Sequence, residues 1–158
     1  MTFNDIDEIK KAGFSGFKKM SELFLDSSML PNNNGVYLVL NIDNKPGDFL
    51  TVGSGGHFKG KDPNISLAEL KSNWVENTKV VYIGKATSLR SRLKQYFGFG
   101  QGKNIGHYGG RLIWQLKYSK DLVVCWKSLT IDPREFEADL IQQFVKTFGC
   151  RPFANLAN

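Results

Sequence analysis

Apolar and polar positions follow two rhythms along this chain. From Pro133 to Phe148, apolar side chains return every three or four residues, the repeat of one face of an α-helix. Phe136, Leu140, Ile141, Phe144, Val145 and Phe148 make that face, Asp132 and Pro133 open the helix and Gly149 stops it. A second helix is predicted over Ser88 to Phe97, with Leu89, Leu93 and Phe97 on its buried edge. Shorter helices are predicted over Ser66 to Glu76, where Ser66 and Glu69 have capping-box spacing, and over Arg111 to Lys117. Residues 4–25 read as one or two short helices, with Phe14, Phe17, Leu23 and Phe24 interleaved with lysines. Three segments instead carry dense β-branched and aromatic residues in short runs: Val36 to Ile42, Lys79 to Gly84 and Leu122 to Leu129. These are predicted strands. Between the first two, residues 43–65 hold most of the turn chemistry, in Lys45-Pro46-Gly47 and Gly53-Ser54-Gly55-Gly56.

The pattern implies an α+β fold. The 158 residues, 41% of them apolar, are enough for one domain with a real core. No apolar run approaches the ~20 residues of a membrane span. Met1 to Ile9 is polar and lacks a signal-peptide core, so the expected setting is the cytoplasm and no membrane partner is expected. Cys125 and Cys150 form no paired motif, and with His57 and His107 they show no zinc-ligand spacing.

Charge placement changes the picture. The chain carries net +6, and Asn77 to Lys120 holds nine Lys or Arg and no Asp or Glu, leaving the remainder at −3. One basic face on a near-neutral body suits a polyanion, or is simply a solvated surface.

Four stretches carry candidate chemistry. Gly55 to Lys61 has the G-x-x-x-x-G-K spacing of a phosphate loop, but Asp62 stands where Ser or Thr would hold magnesium, and Pro63-Asn64 opens no helix. It reads as a flexible basic loop, in which His57, Lys59 or Lys61 could touch a nucleic acid. Glu137 falls at about 60° within an apolar arc spanning about −40° to +140° of the last helix. A carboxylate there needs a cation, either a lysine or arginine in an ion pair or a metal. Glu135 sits instead at the capping-box position. On the helix after Gly84-Lys85-Ala86, Arg92 and Tyr96 are neighbours on one flank. Finally, Gly98 to Asn104 leads into His107, Tyr108 and Arg111, a glycine-rich, basic and aromatic run suited to following a nucleic-acid backbone or to simple mobility.

Together these elements resemble the GIY-YIG nuclease superfamily. Gly35-Val36-Tyr37 is similar to the first triplet, with Val for Ile, and Tyr82-Ile83-Gly84 matches the second. Lys85 to Phe97 resembles the segment that follows, Glu137-Ala138-Asp139-Leu140-Ile141 the metal-binding glutamate motif, and Arg151-Pro152-Phe153-Ala154-Asn155 the closing Pro-Phe-Asn element. The resemblance covers residues 35–42 and 79–155. In place of a tight hairpin between the triplets, residues 43–78 form an insertion.

The resemblance implies a small three-stranded antiparallel sheet flanked by helices. Residues 1–158 would form a single domain, with 1–34 an N-terminal helical extension. It implies DNA phosphodiester hydrolysis, one strand per active site, with one Mg²⁺ or Mn²⁺ on Glu137; a DNA- or RNA-binding module that kept the fold without the chemistry is the alternative. In that scheme Tyr37 orients and deprotonates the attacking water, and Lys85 lowers the Tyr37 pKa. Tyr82 joins the same network, Arg92 clamps the phosphate, Tyr96 supports Arg92 or the water, and Asn155 holds the glutamate loop. Gly84 allows close approach to the backbone. Gly84, Lys85, Arg90, Lys94, Lys103, His107 and Arg111 stand as nucleic-acid contacts, with double-stranded DNA the expected partner. Cutting both strands would need a homodimer or successive nicks.

Overall fold

The computed structural model describes residues 1–156. The elements are α1 (Ile6–Lys11), β1 (Ser15–Lys19), α2 (Met20–Leu25), β2 (Gly35–Leu40), α3 (Leu67–Asn73), β3 (Val80–Ala86), α4 (Leu89–Gly100), β4 (Val123–Ser128) and α5 (Pro133–Phe148). The class is α+β. The sheet has four antiparallel strands in the order β1-β4-β2-β3, not the three expected.

Two short helices do lie within residues 4–25, as α1 and α2, but a strand that was not expected runs between them. Gly13 and Gly16 have φ of +99° and +96°, and Phe17 sits at +56°, so the backbone cannot run on as a right-handed helix there. Ser15–Lys19 instead pairs with β4, with a bulge between Gly16 and Lys18. Gly16 is required by packing as well, because a Cβ there would lie 2.4 Å from the Trp126 ring.

Strand alternation sorts the core into two layers. Val36, Leu38, Leu40, Ile83 and Cys125 point to one face, where Phe3 ahead of α1, Ile9 of α1, and Leu140 and Phe144 of α5 cover them. Tyr37, Val39, Val81, Tyr82, Val124 and Trp126 point to the other, under α2, α4 and the insertion. On α5 the buried arc is narrower than expected: Leu140 and Phe144 are buried, Phe136, Ile141 and Phe148 are half-buried, and Val145 is exposed. Asp132 caps α5 by accepting from the Arg134 N–H at 2.9 Å, while Glu135 is exposed.

The insertion, residues 43–78, is loop apart from a 3-10 turn and α3. Ser66 caps α3 by accepting from the Glu69 N–H. Buried Gln115 stitches the insertion to the body: its Oε1 accepts from the Ile65 N–H at 2.9 Å and its Nε2 donates to the Ile65 carbonyl at 3.0 Å. Gln115 belongs to a 3-10 helix, Arg111–Gln115, that replaces the longer helix expected there. Gly110 starts it in the left-handed region, at φ +74°. Among the described residues, no helix is long and apolar enough to cross a membrane.

Candidate active site

The site lies at the outer edge of β3, where the two faces of the sheet meet in a cleft of about 810 Å³. Five cations line it, Lys85, Arg92, Arg111, Arg134 and Arg151, against two carboxylates, Asp132 and Glu137. Tyr37, Tyr82, Asn155 and Tyr108 complete much of the wall.

Antiparallel pairing sets Tyr37 directly opposite Gly84. The phenol ring lies over that glycine so closely that a Cβ at Gly84 would come 2.2 Å from the Tyr37 ring. The close approach at Gly84 is therefore made by Tyr37, and the expected contact of Gly84 with a nucleic acid is replaced by an internal one. Tyr37 and Tyr82 have ring centroids 6.0 Å apart in an edge-to-face contact. Burial pushes the Tyr37 phenol well above its ordinary pKa and raises that of Tyr82. Within the pair, Tyr82 raises Tyr37 while Tyr37 lowers Tyr82, so Tyr82 is the more easily ionised of the two.

Arg92 is the cation that acts on both phenols, favouring their ionised forms. Its guanidinium has only a long contact to Gln95 Oε1, 3.4 Å, and no acidic partner among the described residues. Lys85 does not take the part expected of it beside Tyr37. Strand alternation turns it to the α5 face, where Nζ lies 3.3 Å from Glu137 Oε1. The cation predicted for Glu137 is thus present as a lysine, and the Glu137 side chain is only 16% exposed.

Tyr96 lies behind the cleft and does not line it. Its hydroxyl donates to the Gly110 carbonyl at 2.8 Å, so it positions the loop before Arg111. His107 is 1% exposed and cannot be a surface contact. Nδ1 donates to the Gly109 carbonyl at 3.0 Å, while Nε2 is buried without a partner. Its ring packs 4.5 Å from Tyr96, and burial and Arg92 bring its pKa down to about 4. Arg90 is also spent internally: Nε and Nη2 donate to the carbonyls of Leu30 and Ser28, each at 2.8 Å. Lys94 and Lys103 are exposed on a separate shallow groove with Leu23 and Phe24. Of the proposed nucleic-acid contacts, Lys85 and Arg111 line the cleft with their side chains charged and accessible.

Asn155 corrects another expectation. It does not hold the glutamate loop; it clamps β3. Its Oδ1 accepts from the Ile83 N–H at 2.8 Å and its Nδ2 donates to the Ile83 carbonyl at 2.9 Å. An amide is the one side chain that satisfies both groups of an edge-strand residue in this way. With the Ala154 N–H donating to Val81, the terminal segment covers the edge on either side of Tyr82.

Comparison with family models, curated proteins and solved structures returns no match to this chain.

Sequence reasoning gave Arg134 and Arg151 no role, yet both line the cleft. Arg134 lies three residues before Glu137 on α5, a spacing that places them on neighbouring flanks. Arg151 stands at the head of the same segment that carries Asn155. Among the described residues no three His, Cys, Asp or Glu side chains cluster, so a cation here would rest on Glu137. That fits a hard divalent ion, which takes one or two carboxylates and completes its shell with water and substrate oxygens.

Proposed function

We propose that this chain is a metal-dependent endonuclease of the GIY-YIG type, hydrolysing DNA phosphodiester bonds one strand per active site. The observation that carries the reading is the meeting in one cleft of Tyr37, Tyr82, Lys85, Arg92 and Glu137, drawn from four elements. The excess of cations lining the cleft supports a polyanionic substrate.

Hydrolysis requires water to attack phosphorus while the bond to the leaving oxygen breaks. One proton leaves the water and one is taken up by the leaving oxygen. Arg92 has no acidic partner, so its guanidinium is available to clamp the phosphate and offset charge built up in the transition state. Burial keeps both phenols protonated at neutral pH, so they act by hydrogen bonding to the attacking water. Tyr82, the less buried and more easily ionised of the two, is the better hydrogen-bond donor, and the proton released by the water passes to solvent in the open cleft. Glu137 would hold Mg²⁺ or Mn²⁺, which when bound supplies charge stabilisation at the scissile phosphate and the leaving oxygen. Lys85 faces Glu137 and would exchange that partner for a phosphate oxygen.

One observation favours a second reading. Lys85 already neutralises Glu137, as it would in a DNA- or RNA-binding module without chemistry. A single assay separates the two: supercoiled plasmid incubated with Mg²⁺ or with EDTA, with wild-type protein and Glu137→Ala. The nuclease reading expects nicking only with metal, and a loss of about 10³-fold in Glu137→Ala with DNA binding retained. Wild-type cleavage by Glu137→Ala removes it. Binding without cleavage across a panel of DNAs establishes the silent module.

A further inference from the structure

Beside the cleft, two segments of the chain run together. The insertion loop at 56–62 lies against the glycine-rich loop at 103–111. Gly56 is pressed onto the backbone, since a Cβ there would be 2.1 Å from the Lys103 carbonyl oxygen. Gly106 faces the Phe58 ring, at 3.0 Å from where a Cβ would be. The Tyr108 hydroxyl donates to the Asp62 carbonyl at 2.8 Å. Tyr108 also lines the cleft, so this ledge begins at the site's own rim.

The ledge carries exposed Lys59 and Lys61, neither with an acidic partner among the described residues. Its one carboxylate, Asp62, is spent locally: it accepts from the Asn64 N–H and Nδ2 at 2.9 and 2.7 Å and lies 3.6 Å from His57 Nε2. At the tip, Lys59 and Gly60 have φ of +53° and +75°, and nothing lies within 4 Å of a Cβ at Gly60. The turn leaves Lys59 and Lys61 exposed, each beside a ring of the ledge.

The aromatic residues of the ledge settle what kind of chain it fits. Arg111 lies 4.1 Å from the Tyr108 ring centre and Lys61 Nζ 6.0 Å from it, and Lys59 Nζ lies 5.4 Å from the Phe58 ring centre. Single-strand platforms keep ring faces open for unpaired bases. Here the rings carry cations, and the tyrosine hydroxyl is used within the protein. The ledge offers charge to a backbone, and cations already stand over its rings.

We infer that residues 56–62 and 103–111 form a phosphate-tracking ledge that holds the backbone of double-stranded DNA flanking the cleft. The inference rests on the nuclease reading. The insertion thereby supplies sequence-independent affinity and orients the duplex across the cleft, while Arg92 and Glu137 act at the phosphate that is cut.

The test is the salt dependence of binding to a duplex oligonucleotide, measured without metal for wild type, Lys59→Ala/Lys61→Ala and Lys11→Ala/Lys146→Ala. The last pair removes the same charge from α1 and α5 on the opposite sheet face. Each lost phosphate contact lowers the log–log slope by about 0.9, so the ledge variant should lose about 2 and the control none. Unfolding midpoints of both variants should match wild type, since all four side chains are exposed. A ledge variant with the wild-type slope, or one no different from the control, overturns the inference. Tighter wild-type binding to a single strand of equal length overturns the duplex assignment. Metal-dependent plasmid nicking by wild type, run alongside, keeps the two levels apart: if it is absent the nuclease reading fails, and if it is present a null slope change removes the ledge alone.

Discussion

On one face of the sheet, Tyr37, Tyr82 and Tyr96 pack with ring centroids 5.7 to 6.4 Å apart, and His107 closes the stack behind them. On the other face, Lys85 and Glu137 meet as an ion pair at the rim. Both groups supply the same cleft, yet burial treats them differently. Phenol and imidazole can be buried neutral, and burial then moves their pKa values away from the charged form. A carboxylate and an ammonium cannot be buried so cheaply, and Lys85 keeps 44% of its side chain exposed. The aromatic face is thus a rigid frame fixed by packing, and the ionic face is an adjustable layer in contact with water.

The strongest way to break this contrast is at Gly84. A Cβ there would meet the Tyr37 ring at 2.2 Å, and neither the paired backbone nor a buried ring can yield by that amount. Gly84→Ala should destabilise the protein by about 3 kcal/mol or more, read from urea unfolding. A loss below about 1 kcal/mol would show the aromatic face to be soft.

His107 sharpens the comparison through pH. Nδ1 is bound to Gly109 and Nε2 has no partner, so protonation places an N–H in a buried site with no acceptor, near Arg92. The folded pKa of about 4 lies below the ordinary value of 6.5. Above pH 6.5 both states are neutral and the group is silent. As pH falls from 6.5 to about 4, the unfolded chain gains the proton first and stability is lost, by at most about 3 kcal/mol. His107→Asn keeps a donor for Gly109 and cannot titrate. The difference between wild type and variant unfolding free energies should therefore be constant above pH 6.5 and move in the variant's favour, by at most about 3 kcal/mol, as pH falls through that window. A flat difference would mean that His107 is accessible to water in the folded state.

These two residues also show which parts of the molecule could be read in advance. The elements that frame the cleft were legible where the signal is local: the α5 boundaries follow from Asp132, Pro133 and Gly149, and β2, β3 and β4 from dense β-branched runs. Glu137 was separated from Glu135 by helical phase, and its side chain does face the cleft. β1 was missed because Phe14, Phe17 and Leu23 mimic a helical repeat, while the deciding facts, left-handed Gly13 and Gly16 and a partner in β4, are conformational and distant. The partners of Arg90, His107 and Asn155 were missed for a related reason. A guanidinium, an imidazole or an amide gives no sign in sequence of whether it will find a phosphate or a carbonyl of its own chain, and here all three found carbonyls.

The smallest expected effect lies on the ionic face. Lys85 and Glu137 are 3.3 Å apart, close enough for attraction, but the lysine is well solvated and pays rotamer entropy to hold its place. Solvent-exposed pairs contribute about 0.2–1 kcal/mol, and with one solvated partner this pair belongs near the top of that range, so Lys85→Gln should lower the unfolding free energy by about 1 kcal/mol. Glu137 lines the open cleft and keeps a hydrogen-bond donor in the glutamine amide, so its charge is not left without a partner. A loss of about 3 kcal/mol or more would put the pair in the class of buried bridges, whose broken half remains uncompensated. The two faces would then be equally rigid, and Lys85 could not release Glu137 for other partners. A small loss keeps the distinction intact: the phenols hold the shape of the cleft, and the lysine is free to leave the carboxylate.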